Sequence, residues 1–125
     1  MSLVRLENVR KTYQSGEIIV QALKEINLKI QKKTFMSVIG TSGSGKSTLL
    51  NLIGCLDKPT EGKVFVNNVD VSLLDRTEAA AFRGNTIGFV FQNFNLIPVL
   101  TVYENIEYPL LMLDHLPAKE RNDRV

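Results

Sequence analysis

The chain has 125 residues, 44% of them apolar, and its 15 basic and 13 acidic side chains leave a net charge of +2. This composition fits one globular domain or part of a larger one, and the charge excess is too small to indicate nucleic acid as a partner. No uncharged apolar run approaches the roughly 20 residues of a spanning helix, so we expect no direct membrane insertion. With a single cysteine, Cys55, and a single histidine, His115, the sequence excludes an internal disulfide and a metal site built from His and Cys.

The first third of the chain has the residue pattern of strands. Apolar and polar residues alternate over residues 4–7 and 26–31, which predicts half-buried antiparallel strands joined by a turn at residues 14–17. Residues 35–39 are different, because they form a short apolar run that ends at Gly40. Such a run predicts a strand that is buried on both faces.

The rest of the chain alternates between helix and strand patterns. The sequence predicts a helix over residues 46–56, a hairpin over 64–71, a helix over 77–83, a buried strand over 87–91, and two helices that begin at the capping box of Thr101 and Glu104 and at Pro117. This alternation indicates an α/β fold with an N-terminal antiparallel β subdomain.

One motif carries recognisable chemistry, and it lies between a predicted strand and a predicted helix. Its residues match G-x-x-x-x-G-K-[ST], the phosphate-binding P-loop: Gly40, Thr41, Ser42, Gly43, Ser44, Gly45, Lys46 and Ser47. Glycines let the loop curl so that its amides converge on a polyphosphate, and the following helix adds its N-terminal amides. The lysine ammonium suits the outer phosphates, and the serine hydroxyl is a hard ligand suited to Mg²⁺.

The motif predicts binding of ATP or a related nucleoside phosphate by a P-loop NTPase core. A dinucleotide fingerprint is excluded, because Thr48 stands where its third glycine would be. The loop alone does not choose among kinases, GTPases, motors and transporter ATPases. A GTPase would also need an Asn-Lys-x-Asp segment, which the sequence lacks.

Three segments together resemble the ATP-binding subunits of ABC transporters, nearest to the lipoprotein-release and macrolide-export (LolD/MacB-like) branch. They are residues 40–51, residues 54–62, and residues 87–98, which look like the family's Q-loop region. The resemblance extends over the whole chain, and it implies that residues 1–125 are the N-terminal part of such a domain.

The resemblance also implies the site residues and the cofactors, ATP and Mg²⁺. Tyr13 matches the aromatic residue that stacks on adenine, and Gln92 matches the glutamine that reaches Mg²⁺ and the attacking water. Lys46 and Gln92 are then the catalytic candidates, and Ser47 and Gln92 are the metal ligands. The phosphate-binding residues would be Gly40, Thr41, Ser42, Gly43, Ser44, Gly45, Lys46, Ser47 and Thr48.

The family pattern further implies two partners, a transmembrane permease subunit and a second nucleotide-binding subunit. The permease would dock on residues 94–103, whose apolar side chains fit an exposed surface as well as a core. The location implied is the cytoplasmic face of the cell membrane, reached through that partner.

Two departures from the family pattern affect these expectations. Lys33-Thr34 stands where the family usually has Gly-Glu, and a lost turn glycine costs about 1 kcal/mol where φ is positive. The LSGGQ signature, the Walker B acidic pair and the switch histidine do not occur in the 125 residues. We therefore expect the chain to bind nucleotide without efficient hydrolysis, and its unpaired apolar strands to promote self-association. The alternatives are a non-enzymatic nucleotide-binding fragment and a different soluble P-loop NTPase.

Overall fold

The computed structural model describes residues 2–112 and 116–125, so His115 lies outside the described residues. These residues form two compact units, one extending to Ala81 and the other beginning at Phe82. The boundary falls within the helix Arg76–Thr86.

The first unit is built on a four-stranded antiparallel sheet in the order β2-β1-β3-β4. Its strands are β1 (Ser2–Ser15), β2 (Ile18–Gln31), β3 (Glu61–Val66) and β4 (Val69–Asp70). Alternate residues of β1 and β3 are buried in the core, namely Val4, Leu6, Val64 and Val66. Val9 is also buried, three residues after Leu6, because the register of β1 shifts between them. The predicted alternation and antiparallel pairing are therefore confirmed, because period-two burial follows directly from strand geometry.

The pairing of β1 is irregular, with four register shifts against β2 and one against β3. The β2 shift between Leu6 and Val9 and the β3 shift between Glu7 and Arg10 fall at the same part of β1. Asn8 takes a positive φ of 49° there, and its backbone N–H donates to Asn27 Oδ1 at 2.9 Å. Opposite it, Gly62 has a φ of 85°, and an added Cβ would lie 2.4 Å from the Asn8 carbonyl oxygen. This close backbone approach requires glycine.

The hairpin and the first helix agree with the sequence prediction, with small differences in length. Asn67 and Asn68 both have positive φ and join β3 to β4, as a type I′ turn requires. Helix α1 spans Lys46–Ile53 and ends earlier than predicted, at Gly54. The side chain of Leu52, in this helix, is buried in the first unit. Helix α2 (Arg76–Thr86) is longer than predicted at both ends.

The two predicted buried strands are the main correction. Residues 35–39 and 87–91 are not strands, and Phe35, Ile39 and Val90 are at least 90% exposed. A strand needs a neighbour to satisfy its N–H and C=O groups. Within residues 2–112 and 116–125, neither segment pairs with any strand of the sheet. The apolar runs therefore lie outside the sheet, and most of their large side chains are exposed.

The second unit contains the helices α3 (Val102–Leu111) and α4 (Ala118–Arg124). The predicted capping box is confirmed, because Thr101 Oγ1 accepts from the Glu104 N–H at 3.2 Å and Glu104 Oε2 accepts from the Thr101 N–H at 2.7 Å. In the described ranges of the chain, no helix has the length and apolar character needed to cross a bilayer.

Candidate nucleotide-phosphate site

Lys46 ties the predicted phosphate loop to the start of α1. Its ammonium donates to the Gly40 carbonyl oxygen at 3.0 Å, to the Thr41 carbonyl oxygen at 2.6 Å and to Ser44 Oγ at 3.4 Å. A further hydrogen bond from the Ser44 N–H to the Thr41 carbonyl, 3.3 Å long, closes the loop. Residues 40–46 therefore form one connected turn with a positive charge held against it.

Glycines are required at two positions of this loop for different reasons. Gly45 caps α1 with a φ of 89°, and a Cβ there would lie 2.6 Å from the Ala22 carbonyl oxygen of β2. The loop thus packs directly against the sheet at Gly45. Gly43 has a φ of 76° with open space around it, so its requirement is conformational.

The N-terminus of α1 has the properties of an anion site. The first amides of an α-helix have no carbonyl partner within the helix, so those of Lys46, Ser47 and Thr48 are available to a ligand. The first turn of α1, all of it described, carries no acidic side chain that would compete for them. The positive end of the helix dipole and the Lys46 ammonium favour the same sign of charge. These donors fit a polyphosphate, and the Ser47 hydroxyl fits a hard cation.

Tyr13 lies near the end of β1 and is held by groups beside α1. Its hydroxyl donates to Asp57 Oδ2 at 2.8 Å, and the Thr48 side chain is near enough to influence the pKa of that hydroxyl. Tyr13 is 41% exposed, so part of its side chain is open to a ligand. The structure therefore brings Tyr13 together with Thr48, at the end of the predicted phosphate loop.

Asp57 is a site residue that the sequence analysis does not single out, because it lies just beyond the helix predicted over residues 46–56. Its Oδ1 accepts from Lys11 Nζ at 2.7 Å and from the Lys58 N–H at 2.7 Å. The ammonium of Lys11 also lies over the Tyr13 ring, 4.8 Å from its centroid. Strand parity indicates that residues 11 and 13 share a face of β1, but it does not connect them with residue 57.

The hydrogen bonds around Asp57 shift two pKa values in opposite directions. Partial burial raises the pKa of Tyr13, and its hydrogen bond to the Asp57 carboxylate raises it further, against an opposing contribution from Thr48. Partial burial works against ionisation of Asp57. The hydrogen bonds from Lys11, Tyr13 and the Lys58 amide together outweigh it and lower the pKa of that carboxyl group. Asp57 is therefore a carboxylate at neutral pH.

Gln92 belongs to the second unit, in the irregular segment between α2 and α3, and its side chain is exposed. Its expected role beside Ser47 thus remains a prediction. The predicted docking segment is also in this unit, where Phe94, Leu96 and Val99 are exposed and Ile97 and Leu100 are half-buried.

Asn105 of α3 holds the turn within this segment. Its Nδ2 donates to the carbonyl oxygens of Ile97 at 3.2 Å, Leu100 at 3.1 Å and Thr101 at 2.9 Å. Its Oδ1 accepts from the Ile97 N–H at 2.8 Å. One side chain therefore fixes the backbone of residues 97–101.

Comparison with known proteins supports the family resemblance of the sequence. A family model described as ABC transporter matches residues 23–125. MJ0796 of Methanocaldococcus jannaschii, an uncharacterized ABC transporter ATP-binding protein, is 56% identical over 109 residues, which are 87% of this chain and 46% of that protein. The macrolide export ATP-binding/permease protein MacB of Brucella abortus is 47% identical over 122 residues, which are 98% of this chain and 19% of MacB.

The solved structures give the same result for the fold. The dimeric post-hydrolysis state of the ATP-binding cassette MJ0796, bound to ADP and Pi, matches with a TM-score of 0.89 and 53% identity. The match covers 97% of this chain and 53% of that one, so the chain spans about half the length of MJ0796. These matches confirm the α/β fold with its N-terminal antiparallel sheet and the resemblance to the MacB-like branch. The chain therefore belongs to the ATP-binding domain of ABC transporters.

Proposed function

We propose that the chain binds ATP with Mg²⁺ through residues 40–48. The observation that carries the proposal is the closed loop in which Lys46 contacts two loop carbonyls. Gly45 caps α1 in the left-handed conformation at the end of this loop. This arrangement points the helix amides and an ammonium group toward one place, where a triphosphate finds several donors.

The residues of the loop have separate roles in this proposal. The amides of Gly43 to Thr48 bind phosphate oxygens, and the Lys46 ammonium binds the outer phosphates. Ser47 and Gln92 are the proposed ligands of Mg²⁺, which when bound neutralises charge on the phosphates. Gln92 additionally orients the attacking water, because an amide offers both an acceptor and donors. The Tyr13 ring stacks on the adenine base.

In the whole protein, we propose that ATP binding and hydrolysis drive export through a transmembrane permease subunit at the cytoplasmic face of the membrane. Support comes from MacB, whose name describes one protein with ATP-binding and permease functions. The exposed apolar side chains of residues 94–103 are the proposed contact with the permease. A second nucleotide-binding subunit is the other proposed partner, because the MJ0796 cassette is dimeric.

For the 125 residues by themselves, we expect nucleotide binding with little turnover. They contain the phosphate loop and Gln92, but no Ser-Gly-Gly-Gln segment and no apolar strand that ends in Asp-Glu. Hydrolysis also requires groups that position the water and stabilise the developing charge. The exposed apolar residues 35–39 and 87–91 favour self-association of the chain in solution.

Titration calorimetry with a slowly hydrolysed ATP analogue and Mg²⁺ tests the proposed binding. Lys46→Ala removes a charge-assisted contact and should weaken binding about tenfold or more. Lys29→Ala, at an exposed position of β2 in the same unit, is the matched control and should bind as the unmodified chain does. Equal affinities of the Lys46 variant and the unmodified chain would contradict the proposal. Sustained phosphate release that Lys46→Ala abolishes would contradict the expectation of little turnover.

A further inference from the structure

The segment after α1 places one carboxylate against two side chains of β1. Asp57 Oδ2 accepts from the Tyr13 hydroxyl at 2.8 Å, and Asp57 Oδ1 accepts from Lys11 Nζ at 2.7 Å. The side chain of Lys11 is only 12% exposed, so this ion pair is much better shielded than an ordinary surface pair. The two oxygens of Asp57 therefore hold two neighbouring side chains in fixed positions.

Lys11 and Tyr13 meet because residues two apart on a strand share a face. The Lys11 ammonium lies over the aromatic ring, 4.8 Å from its centroid, which is within the range of a cation–π contact. Lys11 Nζ also donates to the Lys58 carbonyl oxygen at 2.7 Å, so the ammonium is fixed from a second side. One face of the ring is thus occupied, while 41% of the Tyr13 surface remains exposed.

The hydroxyl of the same ring connects it to α1 through Asp57. Asp57 accepts from the Tyr13 hydroxyl, and the Asp57 N–H donates to the Asn51 carbonyl oxygen of α1 at 3.3 Å. The aromatic ring is therefore tied to the helix whose N-terminal amides are the proposed phosphate donors.

We propose that Asp57 is a positioning residue for nucleotide binding, because its carboxylate fixes Tyr13 and Lys11 so that the ring offers one face to the base. Lys11 occupies the other face and prevents the base from stacking there. This inference rests on the proposed nucleotide site. Asp57 itself contacts neither the base nor the phosphates, and it acts by reducing the freedom of the ring before the base arrives.

Two substitutions weaken the hydrogen bond between Asp57 and Tyr13 from its two ends. Asp57→Asn keeps an oxygen at the Oδ1 position, where Lys11 and the Lys58 N–H bind, although the ion pair with Lys11 becomes a bond to a neutral amide. It places an NH₂ group at the Oδ2 position, so the charge-assisted bond from the Tyr13 hydroxyl is replaced at most by a neutral bond to the hydroxyl oxygen. Tyr13→Phe is the converse change, because it keeps the stacking ring and removes the hydroxyl.

The test measures the affinities of Mg–ADP and of inorganic tripolyphosphate with Mg²⁺, which has no base, for the unmodified chain and for both variants. We expect Asp57→Asn to weaken Mg–ADP binding about three- to tenfold, since a charge-assisted hydrogen bond is replaced at most by a neutral one. Tripolyphosphate binding should not change. In the double variant, Asp57→Asn should add little to the effect of Tyr13→Phe, because the shared hydrogen bond is already absent.

Three results would overturn the inference. The first is unchanged binding of Mg–ADP to Asp57→Asn. The second is an equal loss of tripolyphosphate binding, which would show that Asp57 supports the fold and not the ring. The third is full additivity of the two substitutions. If the unmodified chain bound neither ligand, the proposed function would fail together with the inference, so the two failures are distinguishable.

Discussion

The two units of the chain are stabilised in different ways. The buried apolar side chains of the described residues all belong to the first unit, in the sheet, α1, α2 and the segments beside them. In the second unit, none of the described side chains is fully buried, and its polar contacts include those of Asn105 and the ion pair of Arg121 with Glu107 at 3.1 Å. The phosphate loop therefore rests on a unit with its own core, whereas residues 97–101 depend on a few hydrogen bonds.

Because the buried core belongs to the first unit, we expect the largest loss of stability from a substitution that separates β1 from β3. In Gly62→Ala the Cβ would meet the carbonyl oxygens of Asn8 at 2.4 Å and Glu7 at 2.5 Å, both of them backbone atoms. Because the strands must move apart, we expect a loss of about 3 kcal/mol or more in the free energy of unfolding. Denaturant unfolding followed by circular dichroism measures this loss.

Gly16→Ala is the matched control for that substitution. Gly16 also has a positive φ, 60°, but nothing lies within 4 Å of its Cβ position. Only the conformational cost of about 1 kcal/mol is expected there. Similar losses for the two variants would show that the close approach of β1 and β3 at Gly62 does not determine the cost of the substitution.

A smaller and more local effect is expected in the second unit. Asn105→Ala removes the four hydrogen bonds of the Asn105 side chain to residues 97–101, while the capping box of Thr101 and Glu104 remains. We expect the local stability of this turn to fall by about 1–2 kcal/mol, seen as faster hydrogen exchange at the Ile97 amide. Exchange in the sheet of the first unit should not change.

Asn122→Ala provides the comparison for Asn105, because the described contact of its side chain is one hydrogen bond, from the Tyr103 hydroxyl at 2.6 Å. Exchange at Ile97 should be little affected in this variant. If both variants accelerated exchange there equally, the special role of Asn105 would be wrong.

The smallest expected effect is a gain in stability. Lys33 has a φ of 62° in the turn after β2, a conformation that glycine adopts without strain. Lys33→Gly should therefore raise the free energy of unfolding by about 0.5–1 kcal/mol. Lys32→Gly, at the neighbouring turn position without a positive φ, should lower it slightly. A destabilised Lys33→Gly variant would contradict this reasoning.

The features that the sequence predicted correctly are those that depend on neighbouring residues. Strand alternation, the Asn67-Asn68 turn and the Thr101 capping box are local signals, and all are confirmed. Residues 35–39 and 87–91 were wrongly predicted, because a strand exists only with a partner. The contact of Tyr13 with Asp57 joins residues 44 apart, and no pattern within either segment predicts it.

The central claim is that residues 40–48 hold the phosphates of a nucleotide. Backbone amide spectra of the ¹⁵N-labelled chain, titrated with a non-hydrolysable ATP analogue and Mg²⁺, test it residue by residue. We predict that the largest chemical-shift changes occur at the amides of Gly43 to Thr48, since these are the proposed donors. Unchanged shifts at those amides under saturating ligand, in a chain that is otherwise folded, would contradict the account.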